Sequence, residues 1–496
     1  MKRNKFSLSN YKLLSCNLGS LVPCGAFEVL PGDSVQQATN MLIRMSPMLA
    51  PVMHPLHARV HHWFVPYRLI WEDWEDFITG GPDGLDASTY PLITGTIAAG
   101  TLGDYLGLPI MAGAEEFSAL PFRAYALIWN EWYRDQDLQT ALTVDIGSGA
   151  DTTTNVTLQN VCWEKDYFTS ARPWEQKGPA ITIPIGSQAP VTGIGVLPAA
   201  TWASTDQTVN ETDLDDVVYS DNLATATGGG IYVKGSASGT DKKPVIYADL
   251  TDASAITINS LREALALQRF EEARARYGSR YTEYLRYLGV RSSDARLQRP
   301  EYLGGGKQTV QFSEVLQTGV TTSGNAAGVG TLRGHGIGAM RSNRYRRFFE
   351  EHGIVLSLLS LKPRTMYTQG MERMWNRRTK EDFWQKELET IGQQEILNKE
   401  VYVDAASVDG VFGYQDRYDE YRRKESSVAG DFRTSLDFWH FAREFASEPA
   451  LNATFVSSVP TDRVFAVTTD DTVYVMANHS IQARRMLSQT GRSFTF

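Results

Sequence analysis

Short β-forming runs, joined by connections much longer than the runs themselves, constrain this 496-residue chain more than any other feature. The stretch His57–Ile70 is rich in β-formers and is interrupted at Pro66. Further strand-like runs lie at Ala180–Ile185, Ile354–Leu361, Val411–Tyr414, Arg463–Val467 and Thr472–Ala477. Helical spacing appears only in islands between them. Trp71, Trp74, Phe77 and Ile78 recur at helical intervals until Gly80-Gly81-Pro82 stops them. Tyr125, Ile128, Trp129 and Trp132 form a stripe behind Pro121, which a first helical turn tolerates. Ser260 and Glu263 have capping-box spacing, with Leu261 and Leu265 on one face and a second segment at Tyr281–Leu288. Two more helices are predicted at Thr379–Ile391 and Leu436–Phe445. Without an internal repeat, this pattern predicts a mainly β fold, a β-sandwich whose partly helical loops carry most of the mass.

Breakers punctuate the first sixty residues, at Pro23, Gly25, Pro31, Gly32, Pro47, Pro51 and Pro55. Residues 1–60 therefore read as an extended arm without a core of its own, and residues 61–496 as the main domain. Composition shifts between Gly186 and Asp241, where Gly, Thr, Ala and Asp dominate and Lys234 is the one basic residue. A loop this long is functional or disordered. Residues 186–255 are read as an exposed acidic, Gly/Thr-rich insertion, and a smaller patch at Asp145–Thr157 is grouped with it.

A formal charge of −9 argues against a stand-alone nucleic-acid binder, although a container with a locally basic inner face remains compatible with it. The three cysteines, Cys16, Cys24 and Cys162, are too few and odd for a disulfide framework, which fits a reducing cytoplasm. The basic start Met1–Phe6 leads into no apolar signal core, and Gly353–Leu361 is too short to cross a bilayer. A soluble product of the cytoplasm, with no membrane partner, is expected.

No catalytic, cofactor or metal site is expected. His54, His57, His61 and His62 cluster in sequence, but prolines oppose a helix there, and on a strand His61 and His62 point to opposite faces. Gly304-Gly305-Gly306-Lys307 lacks the flanking residues of a phosphate loop and reads as a turn. Gly334–Ala339 has a relaxed GxGxxA spacing but no βαβ context, and reads as a flexible or close-packed loop. Glu72, Asp73, Glu75 and Asp76 fill the polar side of an amphipathic helix. No GxSxG elbow is present.

Basic clusters are the remaining candidates. Arg341, Arg344, Arg346 and Arg347 interleave with Tyr345, Phe348 and Phe349. Arg373, Arg377, Arg378 and Lys380 flank Trp375, and Arg422, Arg423 and Lys424 follow Tyr421. Arginine beside aromatics suits single-stranded nucleic acid and protein interfaces alike. Arg344, Arg346, Arg347, Arg377 and Arg378 are accordingly interface or DNA contacts by expectation. Acidic residues stand close to each of these clusters, but not beside Lys2, Arg3 and Lys5, which are the candidates for phosphate contact.

Seven stretches carry a family resemblance: Phe64–Trp74, Lys165–Trp174, Ile258–Glu263, Asp294–Gly305, Glu351–Gly353, Pro363–Gly370 and Phe412–Tyr418. Together, and in this order, they resemble the Microviridae major capsid protein of the gokushovirus-like branch. The resemblance implies an eight-stranded viral jelly roll without enzymatic activity, assembled as an icosahedral homo-oligomer around a circular single-stranded DNA phage genome. It also implies a virion location, synthesis in the bacterial cytoplasm, an internal scaffolding protein, a minor pilot protein, and an insertion that projects at the three-fold axes toward a host surface receptor. A negative shell would leave genome neutralisation to a small basic DNA-binding protein. An aromatic fraction of 11% supplies interface anchors independently of the resemblance.

Two other classes compete. A carbohydrate-binding or carbohydrate-cleaving β-sandwich would need an aromatic groove and a converging carboxylate pair. A cytoplasmic nucleic-acid binder would need tight, steeply salt-dependent binding by the lone subunit.

Overall fold

The computed structural model of the protein describes residues 3–179, 258–277, 298–316 and 330–489, with isolated short pieces elsewhere between 180 and 297. The chain divides into two compact units, one of residues 1–175 and 274–496, the other of residues 176–273. The second unit contains β8 (Val191–Thr192), β9 (Ile194–Val196), β10 (Ile231–Val233) and β11 (Tyr247–Ala248), paired antiparallel as β9 with β10 and β8 with β11. α4 (Ile258–Tyr277) begins in it and covers the helix expected from Ser260. Most of the 186–255 insertion, the strand expected at Ala180–Ile185 and most of the segment Tyr281–Leu288 lie outside the described residues.

The first unit is mainly β. Its early strands are β1 (Asn4–Ser7), β2 (Asn10–Cys16), β3 (Val22–Val29), β4 (Ser34–Met45), β5 (Leu56–Pro66), β6 (Leu92–Ile97) and β7 (Met111–Ser118). The later ones are β12 (Glu301–Leu316), β13 (Leu332–Arg341), β14 (Tyr345–Phe348), β15 (Gly353–Pro363), β16 (Gln393–Leu397), β17 (Val411–Asp416) and β18 (Val473–Arg485). Ten of these form one antiparallel sheet. Eight follow the order β1-β18-β4-β13-β12-β5-β15-β3, with β2 beside β18 and β14 beside β4. β12 turns the corner: Glu301–Val310 pair with β5, and Gln311–Leu316 pair with β13. The sheet thus curls on itself until its halves face, the β-sandwich of a capsid-type fold.

Burial follows that geometry. Leu56 and Val60 of β5, Leu359 and Leu361 of β15, and Ile43 and Val475 of the opposite half fill the space between the halves. The other face of β5 and β15 is also covered, because Trp63, Val65, Ile354, Leu356 and Leu358 pack beneath α3 (Leu120–Ile128). Double coverage explains why Gly353–Leu361 is buried at every position whereas β18 alternates. α3 carries Pro121 in its first turn and buries Phe122, Tyr125 and Ile128, while its continuation Trp129–Tyr133 is a π turn. α1 (Trp74–Thr79) ends at Gly80 with φ 86°, the left-handed cap its sequence announces, and α2 (Leu102–Leu106) ends likewise at Gly107 with φ 112°.

Several expectations are corrected. Residues 1–60 are not an arm on other surfaces: they supply β1 to β4 and the start of β5, and bury Val22, Val35 and Ile43. The prolines mark turns between strands, and Pro23 sits in β3, an edge strand that can spare an N–H. Gly304–Lys307 is not a turn but part of β12, and Gly334–Ala339 is not a loop but part of β13. A Cβ on Gly305 would stand 2.2 Å from the Val60 carbonyl oxygen, so the neighbouring backbone requires glycine there. Thr379–Ile391 forms short 3-10 turns at Lys380–Asp382 and Leu388–Thr390 rather than a helix, and the chain turns extended at Phe383. Leu436–Phe445 is helical only at Asp437–Trp439. Arg463–Val467 makes a single bridge, Phe465 to Met48, in place of a strand. Asp145–Thr157 is no free insertion: Asp151 within it is buried against Arg123 of α3 at 2.8 Å.

Candidate functional site

The four histidines do not converge. On β5 the alternation of faces separates His62, whose Nδ1 lies 2.8 Å from the Ser357 hydroxyl inside the sandwich, from His61, whose Nδ1 lies 2.8 Å from the Tyr133 hydroxyl beneath α3. Burial pushes His62 down to about 3 and His61 down to about 4. His54 is held by the Arg364 carbonyl oxygen at 2.7 Å and His57 by the Thr309 hydroxyl at 3.2 Å. Among the described residues no group of three or more His, Cys, Asp or Glu is placed to hold a metal ion.

The carboxylates beside α1 are similarly dispersed. Asp73 accepts the Ser148 hydroxyl at 2.6 Å, and that hydroxyl oxygen accepts the Trp71 indole N–H at 2.7 Å. Glu72, Glu75 and Asp76 are exposed. Cys16, Cys24 and Cys162 are free thiols. Burial raises Cys16 and Cys24 to about 12, so both stay protonated and unreactive at neutral pH.

Three of the resemblance-bearing stretches meet in a core built from loops and the short β16–β17 hairpin. Phe168 of the first stands edge-on to Tyr367 of the second, ring centres 4.9 Å apart, and to Phe412 of the third at 6.3 Å. Asp166 fastens its own turn by accepting the Thr169 N–H at 2.7 Å, and accepts the Tyr367 hydroxyl at 2.9 Å. Gln415 donates to the Tyr167 carbonyl oxygen at 3.0 Å. Ile396, Val401, Phe455 and Val456 complete the cluster. No periodicity in the sequence announces this core, because each contributor is an irregular segment or an element of only four to six residues.

A cavity of about 300 Å³ opens beside it, lined by Tyr167, Tyr367, Met374, Arg373, Glu400 and Tyr421 among others. Its charges are satisfied internally: Arg373 meets Glu400 at 3.0 Å, and Arg377 meets Glu420 at 3.4 Å. Burial raises Glu400 despite the opposing pull of Arg373. The carboxylates are therefore engaged with arginines and do not stand as a free acid/base pair.

The basic clusters separate into two kinds. Arg377 lies over the Tyr421 ring at 4.4 Å as well as against Glu420, and Arg378 donates to the carbonyl oxygens of Trp375 and Arg377 at 3.1 and 2.9 Å. Arg423 pairs with Asp419 at 3.0 Å, and Lys424 pairs with Glu372. These groups fasten loops. In the other cluster Arg347 reaches Glu301 at 3.0 Å, whereas Arg341, Arg344 and Arg346 are exposed. Arg3 donates to the Gly32 carbonyl oxygen at 3.1 Å and lies over Phe348, and Lys5 is exposed on β1 opposite Arg484. Lys2 lies outside the described residues.

A curled antiparallel sandwich clothed in long packed loops fits the class of β-sandwich capsid proteins. Comparison with known proteins gives the family: the chain belongs to the capsid protein (F protein) family, which matches residues 1–494. It is 38% identical to capsid protein VP1 of Bdellovibrio phage phiMH2K, over 95% of this chain and 90% of the relative. It is 34% identical to capsid protein VP1 of Chlamydia phage 1, over 94% and 91% of the two chains. Capsid protein VP1 of Spiroplasma virus 4 is 30% identical, over 95% and 90%. The resemblance to the gokushovirus-like branch of the Microviridae thus extends along nearly the whole sequence.

Proposed function

We propose that this capsid protein closes an icosahedral shell of identical subunits around a circular single-stranded DNA genome, as a structural molecule without enzymatic activity. The observation that carries the reading is the loop segment between Met374 and Ile391. There Met374, Trp375, Phe383, Trp384 and Ile391 are each about half exposed or more, although large apolar rings are costly to leave in water. Aromatic anchors of this kind dominate interface energies. Several interfaces of about 1,600 Å² each would favour assembly without one dominant contact.

The finer reading assigns synthesis to the host cytoplasm, assembly help to an internal scaffolding protein, genome neutralisation to a small basic protein, and a further role to a minor pilot protein. The acidic 186–255 insertion is assigned to the outer surface, to meet a host receptor. Lys2, Arg3, Lys5 and the arginines around Tyr345 are its candidate genome contacts. Electron microscopy of the chain co-expressed with its scaffolding partner tests the reading. Closed icosahedral particles are expected, and virions should also contain a Lys/Arg-rich peptide. A chain that stays monomeric with that partner present would overturn it.

A further inference from the structure

We propose that the face of the β18–β4–β13 half of the sheet turned away from the core receives single-stranded nucleic acid, an inference that rests on the capsid reading and names the side of the subunit the enclosed strand meets. β4 turns Val35, Gln37, Thr39, Met41 and Ile43 inward, so its even-numbered positions look outward. Their cross-strand neighbours share that face. Arg44 stands opposite Ile337 and Tyr474, Asn40 opposite Arg341 and Asn478, and Gln36 opposite Arg346 and Gln482. Arg484 stands opposite Lys5. Lys5, Arg44, Arg341, Arg346 and Arg484 are all exposed, and none makes an ion pair with a described residue.

No carboxylate occupies an outward position of β1, β2, β4, β14 or β18, or of β13 from Ile337 to Arg341. Two acids border the face: Asp471 accepts the Ser15 hydroxyl at 2.5 Å, and buried Asp33, just before β4, is already paired with Arg485 at 3.0 Å. In a chain of formal charge −9, a face with cations alone is a local choice, not a reflection of composition. From Arg484 to Tyr474, the partner of Arg44, the cations extend over about 33 Å of strand. Rings lie between them: Tyr11 is 73% exposed and Tyr474 42%, with Phe348 at the opposite end. Cations that track a backbone, interleaved with rings on which bases stack, are what single strands require. A second copy of the same face would set like charge against like, which disfavours self-association through it.

The test titrates the full-length, unassembled chain with fluorescently labelled oligothymidylate over a range of salt. Binding should weaken with salt, and the triple variant R44A/R346A/R484A should lower the magnitude of the log–log slope by about 2, at about 0.7 per lost phosphate contact. Tyr11→Ala with Tyr474→Ala should weaken binding on the order of tenfold at every salt concentration and leave the slope unchanged. Wild-type binding by a triple variant with unaltered circular dichroism and melting would overturn the proposal. Equal displacement of the oligonucleotide by polyglutamate would do so too, since it would show a generic anion surface. Shell assembly is read separately by electron microscopy. Triple-variant shells with wild-type DNA content would sink the face assignment and leave the capsid reading standing, whereas wild-type chain that never forms shells with its scaffolding partner present would sink the capsid reading itself.

Discussion

His62 of β5 and Ser357 of β15 face each other inside the sandwich, imidazole Nδ1 to hydroxyl at 2.8 Å, and anchor a polar chain that crosses to the other half-sheet. Gln37 of β4 donates to the same Ser357 hydroxyl at 3.2 Å and accepts the Tyr345 hydroxyl at 2.6 Å. Thr39 lies 2.9 Å from His479 Nδ1, whose Nε2 lies 2.8 Å from the Cys24 carbonyl oxygen on β3. Buried polar groups satisfied on both sides fix which strands face each other, because any slip leaves them unpaired.

Acid should loosen this junction. Burial depresses His62 to about 3 and lowers His479, so the folded protein binds these protons more weakly than the unfolded chain. Their contribution is complete above about pH 6.5 and is lost as pH falls toward the folded pKa. Between neutrality and about pH 4.5, His62 alone should remove about 2–3 kcal/mol from the unfolding free energy. Urea denaturation at the two pH values measures this. His62→Gln should shrink the difference by about that amount while His61 and His479 keep their own shares, and an equally steep loss in that variant would refute the assignment.

A buried ion pair ties α3 to the loop that follows it. Arg123 Nε donates to Asp151 at 2.8 Å, with both side chains shielded from solvent. Burial opposes ionisation of Asp151, but hydrogen bonds from Thr154 and Arg123 outweigh it and hold its pKa low. Arg123→Met or Asp151→Asn should each cost about 3–5 kcal/mol, because the surviving partner is left without its counterpart. The double variant R123M/D151L should be milder than the sum of the two. Thermal unfolding reads all three, and single losses below about 1 kcal/mol would contradict the burial argument.

What the sequence disclosed followed from how each segment is covered. β5, β15 and α3 carry dense apolar patterns because they are packed on several sides, and their positions were readable. β12 and β13 were not, since Gly305 and Gly334 are there for close backbone approach, which looks like a loop in composition. The first sixty residues misled for a related reason: Pro31, Pro47, Pro51 and Pro55 stand between strands that are themselves buried. Phe383, Trp384 and Ile391 mimic the spacing of a helix, yet the Arg378 and Thr379 N–H groups donate to Asp382 at 2.7 and 2.8 Å and the turn then opens. Of the site candidates, Lys5, Arg346 and Arg347 were legible as cations. That Arg44 and Arg484 join Lys5 and Arg346 on one face was not, because they are distant in sequence and only strand register unites them.

Glycine packing yields its own prediction. A Cβ at residue 305 would meet the Val60 carbonyl oxygen at 2.2 Å and the Tyr302 hydroxyl at 2.8 Å, and one at residue 334 the Ala50 carbonyl oxygen at 2.4 Å. Relief requires backbone movement between β5 and β12, where the sheet turns its corner. Gly305→Ala should therefore cost about 1–3 kcal/mol, like other overpacked sites. Gly84→Ala, with nothing within 4 Å, lacks that steric clash and bears only the strain of a left-handed φ of 75°. The comparison of unfolding midpoints isolates the clash, and a Gly305→Ala chain as stable as the parent would argue against the tight β5–β12 approach.

The exposed rings separate folding from assembly. Trp375 and Trp384 are 64% and 52% exposed and belong to none of the buried clusters. Trp375→Ala and Trp384→Ala should leave the isolated chain within about 0.5 kcal/mol of its parent stability. At a subunit contact the same truncations should cost about 2 kcal/mol or more each. Because every subunit repeats the contact, the loss accumulates over the whole shell, and folded, soluble chain that fails to close particles is the expected product. Sedimentation of the double variant against wild type decides it: shells in normal yield would place the intersubunit contacts elsewhere, and leave the exposed apolar side chains between Met374 and Ile391 facing something other than a second copy.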